Sequence, residues 1–133
     1  MQEGITQQEE FSIVKRAKSL THACRGIAVF IRTTHNAWIH LAILACVTMA
    51  GFFFHITTTD WMLLVLAAGL VLTAEAINTA IEIDIDLTSP DYHPFARDTK
   101  DVAAGAVLIA AVTAAIIGFL IFVPYLIVFI GSY

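Results

Sequence analysis

Charged residues are scarce in this sequence. Of its 133 residues, 14% are Asp, Glu, Lys or Arg and 59% are hydrophobic, whereas a soluble domain has about 25% charged residues. The chain therefore lacks the polar side chains that a water-facing surface needs, and we expect it to lie in a lipid bilayer. Basic residues number 7 against 11 acidic ones, which gives a net charge of −4. Without a basic surface, a zinc-finger pattern or a basic helix, nucleic-acid binding is excluded.

Cysteine is nearly absent as well. Cys24 lies in an amphipathic stretch and Cys46 in an apolar run, a spacing that matches neither a disulfide framework nor a metal site. We interpret both as small apolar residues. The first residues include Glu3, Glu9 and Glu10 and no early apolar core, so no cleavable signal peptide is expected. Membrane insertion is then expected to depend on the internal apolar segments.

Long apolar runs are what the sequence has in abundance. A helix needs about 20 apolar residues to cross the hydrocarbon core, and three runs are long enough: about 37–56, 61–81 and 102–122. The third run continues to about residue 130 and contains Pro124, which we expect to break the helix. The helix then either tilts or ends its crossing near Phe122, and residues 124–133 are assigned to a C-terminal tail.

Upstream of these runs, residues 11–32 alternate apolar and basic positions with a helical period. This pattern predicts an amphipathic helix that lies in the membrane interface, although a plain membrane anchor would explain it equally well. Residues 1–10 are assigned to an N-terminal tail. The predicted fold is therefore an all-α membrane protein, with one surface helix and three transmembrane helices in a single domain over residues 11–123.

The basic residues predict the orientation of the spans. They lie only before the first run or between the second and third: Lys15, Arg16, Lys18, Arg25, Arg32, Arg97 and Lys100. Because short cytoplasmic segments carry an excess of Lys and Arg, the N-terminus and the second loop are predicted to be cytoplasmic. The first loop and the C-terminus are predicted to face outward.

Carboxylates interrupt the second apolar run. A charge at the bilayer centre costs at least about 2.5–3.5 kcal/mol, so such residues usually face a protein interior or a polar cavity and mark a functional site. At about 100° per residue, the face of the helix that carries Glu75 also carries three more polar residues: Asn78, Glu82 and Asp86. Asp84 projects from the opposite side. The structural alternative is a polar clamp that joins helices.

The spacing on this face predicts different roles for the two glutamates. Glu75 and Glu82 are about 10 Å apart along the helix axis, too far to share one proton or one metal ion. Glu82, nearer the cytoplasm, suits a divalent cation with oxygen ligands, and Glu75, which is deeper, suits proton transfer. Lys100 either neutralises an anionic ligand or, as is common for a lone lysine at a span end, anchors the helix at the interface.

Three blocks of sequence resemble a known family. Residues 75–82 read Glu-Ala-Ile-Asn-Thr-Ala-Ile-Glu, residues 89–94 read Ser-Pro-Asp-Tyr-His-Pro, and residues 100–108 read Lys-Asp-Val-Ala-Ala-Gly-Ala-Val-Leu. In this order the blocks resemble the small prokaryotic integral-membrane lipid kinases, the diacylglycerol kinases and undecaprenol kinases, over about residues 11–122.

The resemblance implies a homotrimer in the bacterial cytoplasmic (inner) membrane, with active sites shared between neighbouring subunits. It also implies transfer of the γ-phosphoryl group of MgATP to the hydroxyl of a membrane lipid at the cytoplasmic face, with Mg²⁺ as the cofactor. The resemblance leaves both diacylglycerol and undecaprenol as candidate substrates, although the residues of the first two blocks are more typical of the undecaprenol kinases.

The resemblance assigns roles to individual residues. Glu75 would be the catalytic carboxylate that accepts the proton of the lipid hydroxyl, and Glu82 would be a ligand of the metal ion that bridges the ATP phosphates. Asn78 and Asp86 would support this site. The ATP-binding residues implied by the family pattern are Lys15, Glu82, Asp91, Tyr92, His93, Lys100 and Asp101.

One position departs from the family pattern. In the family, a glutamate just before the first span holds the metal ion together with the later glutamate at the position of Glu82. At the position of the first glutamate, this chain has Thr34. A hydroxyl is a poor replacement for a carboxylate on a hard cation, so we expect weaker magnesium affinity. His35 and Asn36 are expected to point elsewhere on the helix.

This departure leaves an alternative function open. The chain would then be a catalytically weakened or inactive family member that acts as a membrane scaffold or a nucleotide-binding protein. A small ion transporter is a poorer alternative, since the first and third spans lack the polar residues of a path.

Overall fold

The computed structural model describes residues 13–132, and this part of the chain forms four α-helices. They are α1 (Ile13–Thr33), α2 (His35–Phe54), α3 (Thr58–Thr88) and α4 (Pro94–Gly131). The predicted all-α fold is confirmed. The assigned tail at residues 1–10 and the first two residues of the helix predicted at 11–32 lie outside the described residues.

Helices α2, α3 and α4 are long and apolar enough to cross a membrane. With 31 and 38 residues, α3 and α4 are about 46 and 57 Å long, well beyond a hydrocarbon core of about 30 Å. The surplus length includes the polar turns at 82–88 and 94–101, which lie at the adjoining ends of the two helices. The predicted spans were therefore correct in number. The second and third are shorter than the helices that contain them, and the first extends two residues past the end of α2.

Pro124 lies inside α4 and does not end it. The prediction that this proline breaks the third helix is wrong. Although a proline removes one backbone hydrogen bond, membrane helices tolerate it because neighbouring groups and small local adjustments satisfy the freed carbonyl. The residues assigned to a C-terminal tail continue the helix up to Gly131.

The corner between α1 and α2 consists of one residue, Thr34. Its backbone is extended, with φ −103° and ψ 110°. Its N–H donates to the carbonyl of Phe30 at 3.1 Å, and its carbonyl accepts from the N–H of Ala37 at 3.2 Å. Its side chain makes no capping hydrogen bond to α2, so the hydroxyl is available to another element.

The connection from α2 to α3, which we call the hairpin end (residues 51–61 with Tyr125), is tightly built. His55 adopts the left-handed conformation, and the bonds His55 N–H to Phe52 O (3.3 Å) and Ile56 N–H to Gly51 O (3.2 Å) form a Schellman motif. A Cβ atom at Gly51 would lie 2.7 Å from a ring carbon of Trp61. Only glycine lets the Trp61 ring pack this closely against α2.

Polar groups at the hairpin end are paired with one another. Thr57 and Asp60 form a capping box at the start of α3, in which the Asp60 carboxylate accepts from the Thr57 N–H at 3.0 Å. The Tyr125 hydroxyl of α4 donates to the same carboxylate at 2.9 Å. A buried apolar cluster of Ile56, Leu64 and Ile121 packs beside them. These contacts tie α4 to the α2–α3 connection.

Helix α3 packs along α4 far more extensively than along α2. An open apolar groove of about 560 Å³ is left between α2, α3 and α4, lined by residues such as Val47, Leu72 and Phe119. Many large apolar side chains on the outer faces are exposed, among them Leu66 and Leu120. Such surfaces need lipid or protein against them, in agreement with the membrane fold predicted from composition.

Candidate active site

The polar face of α3 lines a chamber of about 260 Å³. The corner between α1 and α2 forms its other wall. The four residues predicted to share one face of the helix all line this chamber: Glu75, Asn78, Glu82 and Asp86. Asp84, predicted to project away, is exposed and is not part of the lining. The helical periodicity therefore identified this polar face correctly.

Glu75 is the most deeply buried polar residue of the chamber, with 1% of its surface exposed. Neither of its carboxylate oxygens has a hydrogen-bond partner among the described residues. Burying a carboxylate without a partner is costly, so such a group is expected where a ligand or a reaction needs it. A clamp between helices would satisfy these oxygens, and no helix within residues 13–132 does so.

Asn78 links the deep and shallow parts of the chamber. Its amide nitrogen donates to a carboxylate oxygen of Glu82 at 3.0 Å. Its carbonyl oxygen is buried and has no partner within the described chain. The amide thus orients Glu82, while its own oxygen is available to a donor or a cation.

Thr34 contacts the turn of α3 that carries Glu75. The hydroxyl oxygens of Thr34 and Thr79 are 2.8 Å apart, and the Thr79 hydroxyl donates to the Glu75 backbone carbonyl at 2.9 Å. Since Thr79 donates to the carbonyl, Thr34 donates to Thr79. Thr34 therefore joins the α1–α2 corner to the turn of α3 that carries Glu75.

Thr79 was not singled out from the sequence. A hydroxyl residue in an apolar helix often bonds the carbonyl four residues earlier, and that signal could have found the bond to Glu75. Its partner across 45 residues of chain, Thr34, had no local signal.

The expectation that His35 and Asn36 point elsewhere is wrong, because both line the chamber. The extended backbone at Thr34 interrupts the helix, so the angular positions counted along α1 do not continue into α2. A helical wheel drawn through this corner assigns the wrong face to the residues that follow it.

Among the residues that the structure describes, Lys100, on α4, is connected to the chamber only through its contact with Asp86. Its ammonium nitrogen forms an ion pair with the carboxylate of Asp86 on α3. Asp86 lines the chamber, whereas Lys100 does not. Asp101 instead pairs with Arg97 on its own helix, at 3.5 Å between Nε and the carboxylate oxygen. The two neighbouring residues predicted to bind ATP thus have different partners.

The other predicted ATP-binding residues lie apart from the chamber. Asp91 and Tyr92 are exposed in the connection between α3 and α4, and His93 caps α4 by accepting from the Phe95 N–H at 3.3 Å. Lys15 is exposed in the first turn of α1. None of these residues belongs to the lining of the chamber in the described chain.

A magnesium ion fits this chamber only in part. Within residues 13–132, no three His, Cys, Asp or Glu side chains come together as a metal-ligand group. However, Mg²⁺ is often held by one or two carboxylates while phosphates and water complete its shell. Glu82 and the unpartnered oxygen of Asn78 are suitable hard donors. The residues therefore fit an ion that arrives with nucleotide phosphates.

Comparison with known proteins identifies one family. The family described as prokaryotic diacylglycerol kinase matches residues 21–122. An undecaprenol kinase of Bacillus subtilis is 43% identical over 109 residues, which cover 82% of this chain and 89% of the relative. A diacylglycerol kinase of Synechocystis is 36% identical over 107 residues, covering 80% of this chain and 61% of the relative. A diacylglycerol kinase of Helicobacter pylori is 29% identical over 111 residues, covering 77% and 86%.

Proposed function

The chain belongs to the prokaryotic diacylglycerol kinase family and is a lipid kinase, and on that premise we propose that it phosphorylates undecaprenol or diacylglycerol with MgATP at the cytoplasmic membrane face. The observation that carries this proposal is the buried, unpartnered carboxylate of Glu75 in a chamber that also contains Glu82 and Asn78. The undecaprenol kinase relative is more similar to this chain than the diacylglycerol kinase relatives described above, which favours the polyprenol as the alcohol.

Glu75 is the group that accepts the proton of the lipid hydroxyl. In the reaction, the hydroxyl oxygen bonds to the γ-phosphorus, the bond from that phosphorus to the ADP oxygen breaks, and the hydroxyl proton passes to Glu75. An ionised carboxylate only accepts hydrogen bonds, and no described side chain competes for its oxygens. The hydrogen bond from Thr79 to the Glu75 carbonyl keeps this turn of α3 in place.

Glu82 and Asn78 would hold the metal ion that accompanies the nucleotide. A bound magnesium ion neutralises charge on the phosphate oxygens, which is most of what phosphoryl transfer requires. Asn78 fixes the orientation of Glu82 through its amide, so a carboxylate oxygen is presented in a constant position. The hydroxyl of Thr34 is engaged with Thr79 and adds no charge, which supports the expectation of weaker magnesium affinity.

The nucleotide would approach from the cytoplasm, where the positive-inside rule puts α1 and the α3–α4 connection. Lys100, near the rim of the chamber, would neutralise phosphate charge. Asp101 and the segment 91–93 would contact the rest of the nucleotide. Lys15 and this segment do not line the chamber of their own chain, which supports a homotrimer in which neighbouring subunits complete each site.

The decisive experiment is transfer of labelled phosphate from ATP, with magnesium, to undecaprenol and to diacylglycerol in mixed micelles. Glu75→Gln is compared with Asp84→Asn, which removes the same charge from the opposite face of the same helix. We expect the wild type and Asp84→Asn to phosphorylate one of the alcohols and Glu75→Gln to lose transfer. Equal activity in Glu75→Gln would contradict the assigned proton acceptor.

One observation favours a second function. Thr34, where the family pattern implies a carboxylate, adds no charge to the chamber, and its hydroxyl is engaged with Thr79. A chain that holds magnesium too weakly would be a membrane scaffold or a nucleotide-binding protein. Absence of transfer by the wild type to either alcohol, over a wide range of magnesium concentrations, would establish this alternative.

A further inference from the structure

The ion pair between Lys100 and Asp86 connects two helices at the rim of the chamber. Lys100 belongs to α4 and Asp86 to α3, and the ammonium nitrogen contacts one carboxylate oxygen. Asp86 lies one turn beyond Glu82 on the face that lines the chamber. The contact therefore brings the positive charge of another helix to the shallow end of the polar face.

A lysine ammonium is a compact charge on a flexible four-carbon stem, and by itself it has no fixed direction. In the described part of the chain, the carboxylate of Asp86 is the group that gives the Lys100 ammonium its position. Asp84, two residues earlier on α3, is exposed on the opposite side and makes no side-chain contact with Lys100. The direction of Lys100 thus depends on one particular carboxylate and not on the acidic character of the segment.

The ammonium can contact a second anion while Asp86 still holds it. The two side chains are 35% and 68% exposed, for Lys100 and Asp86 respectively, so the pair is accessible to a ligand. A lysine ammonium has three N–H donors, and the contact with Asp86 uses one of them. The remaining donors are available to the phosphates of a nucleotide.

We propose that Asp86 is a positioning residue for nucleotide binding: it holds the Lys100 ammonium at the rim of the chamber, where the remaining N–H donors of the ammonium contact the phosphates of the nucleotide. This inference rests on the proposed function, because it assigns Lys100 to ATP. Asp86 itself contacts neither the reacting atoms nor the lipid in this scheme. It restricts the conformations of the Lys100 side chain, so less conformational freedom is lost when the phosphates bind.

The test measures equilibrium binding of adenylyl-imidodiphosphate, a non-hydrolysable ATP analogue, with magnesium, to the full chain in micelles. Asp86→Asn is compared with Asp84→Asn, because both remove one negative charge from the same turn of α3. Their effect on the long-range field is similar, so the ratio of the two dissociation constants isolates the contact with Lys100. We expect Asp86→Asn to bind about fivefold more weakly than Asp84→Asn, in the range that one exposed ion pair can supply.

Two further variants separate positioning from a structural role. Asp86→Glu retains the carboxylate and is expected to restore most of the affinity. In a Lys100→Gln background, Asp86→Asn is expected to cause no additional loss. Because binding is measured directly, a slow or inactive variant is still informative, and thermal unfolding in the same micelles checks that each variant is folded.

Equal dissociation constants for Asp86→Asn and Asp84→Asn would overturn the inference, as would a full loss from Asp86→Asn in the Lys100→Gln background. Failure of the proposed function gives a different result. In that case the wild type would transfer no phosphate to either alcohol, whatever the analogue affinities are.

Discussion

The carboxylates at the two ends of helix α3 differ in whether they have hydrogen-bond partners. At the hairpin end, Asp60 accepts hydrogen bonds from Thr57 and from Tyr125. At the other end, which we call the chamber end (Thr34, residues 75–86 and Lys100), the Glu75 carboxylate is buried with no partner. In the described chain, every buried side-chain nitrogen or oxygen without a hydrogen-bond partner belongs to Glu75 or Asn78.

The free space beside the two ends also differs in chemistry. At the hairpin end the Trp61 ring approaches Gly51 so closely that a Cβ atom there would overlap it, and the groove that reaches Phe54 is apolar. The open space of about 260 Å³ at the chamber end is lined mainly by polar side chains. Satisfied polar groups and close packing stabilise a fold, whereas unsatisfied groups beside a cavity lower stability and are typical of sites that bind or react. The comparison predicts that substitutions at the two ends will separate stability from activity.

The largest effect is expected at Glu75. Glu75→Gln should lower phosphoryl transfer by about 10²–10⁴-fold, because a positioned proton acceptor is lost. The temperature of unfolding in micelles should stay the same or rise, since a neutral amide is less costly to bury than a carboxylate. A fall in both activity and unfolding temperature would mean that the chamber end is structural.

At the hairpin end, Gly51→Ala should lower stability and leave activity unchanged. Crowding against Trp61 should cost about 1–3 kcal/mol of unfolding free energy, offset in part by the gain of about 0.5–1 kcal/mol that alanine brings to a helix. The specific activity of the folded fraction should be unchanged.

The matched control for this change is Gly69→Ala in α3. A Cβ atom there has no neighbour within 4 Å, so only the gain in helix propensity applies and the unfolding temperature should rise slightly. Equal destabilisation by both substitutions would show that contact with Trp61 is not what makes Gly51 necessary.

Thr34→Glu tests the expectation that a threonine at this position weakens magnesium binding. The added carboxylate should lower the magnesium concentration for half-maximal activity by about fivefold, since affinity for a hard cation rises with the number of charged ligands. Thr34→Gln is the control, because it also loses the hydroxyl bond to Thr79 but adds no charge. No change in the magnesium requirement, or the same change in both variants, would count against the expectation.

The smallest effect is expected from Tyr125→Phe. This change removes the hydrogen bond to Asp60 and the weaker one, at 3.3 Å, that the hydroxyl accepts from the Thr57 N–H. Asp60 keeps its bonds from Thr57. The unfolding temperature should fall by less than in Gly51→Ala, with no change in phosphoryl transfer. A loss of activity without a loss of stability would mean that the hairpin end takes part in the reaction after all.

Helical periodicity predicted the polar face that α3 contributes to the chamber end. Glu75, Asn78, Glu82 and Asp86 share a face because an α-helix has a fixed angle per residue, and that holds wherever the chain stays helical. The same reasoning failed at His35 and Asn36, where the extended backbone of Thr34 interrupts the helix. A separate expectation, that a proline breaks a helix, failed at Pro124, because a membrane helix can accommodate the lost hydrogen bond.

The sequence by itself determined that this chain is an all-α membrane protein, because apolar composition and run length depend on no distant contact. It also determined the family, through ordered blocks that need no coordinates to be read. Both properties are local or compositional, so folding does not alter them.

Only the tertiary structure decided what the chamber consists of. The contacts of Thr34 with Thr79 and of Lys100 with Asp86 join different helices, and no periodicity relates residues on separate helices. The absence of a partner for Glu75 is likewise a property of the packed chain, since it depends on every side chain that comes near. The helix angle alone puts a carboxylate on a face, whereas the packing of other helices against that face decides whether it is paired or left free to react.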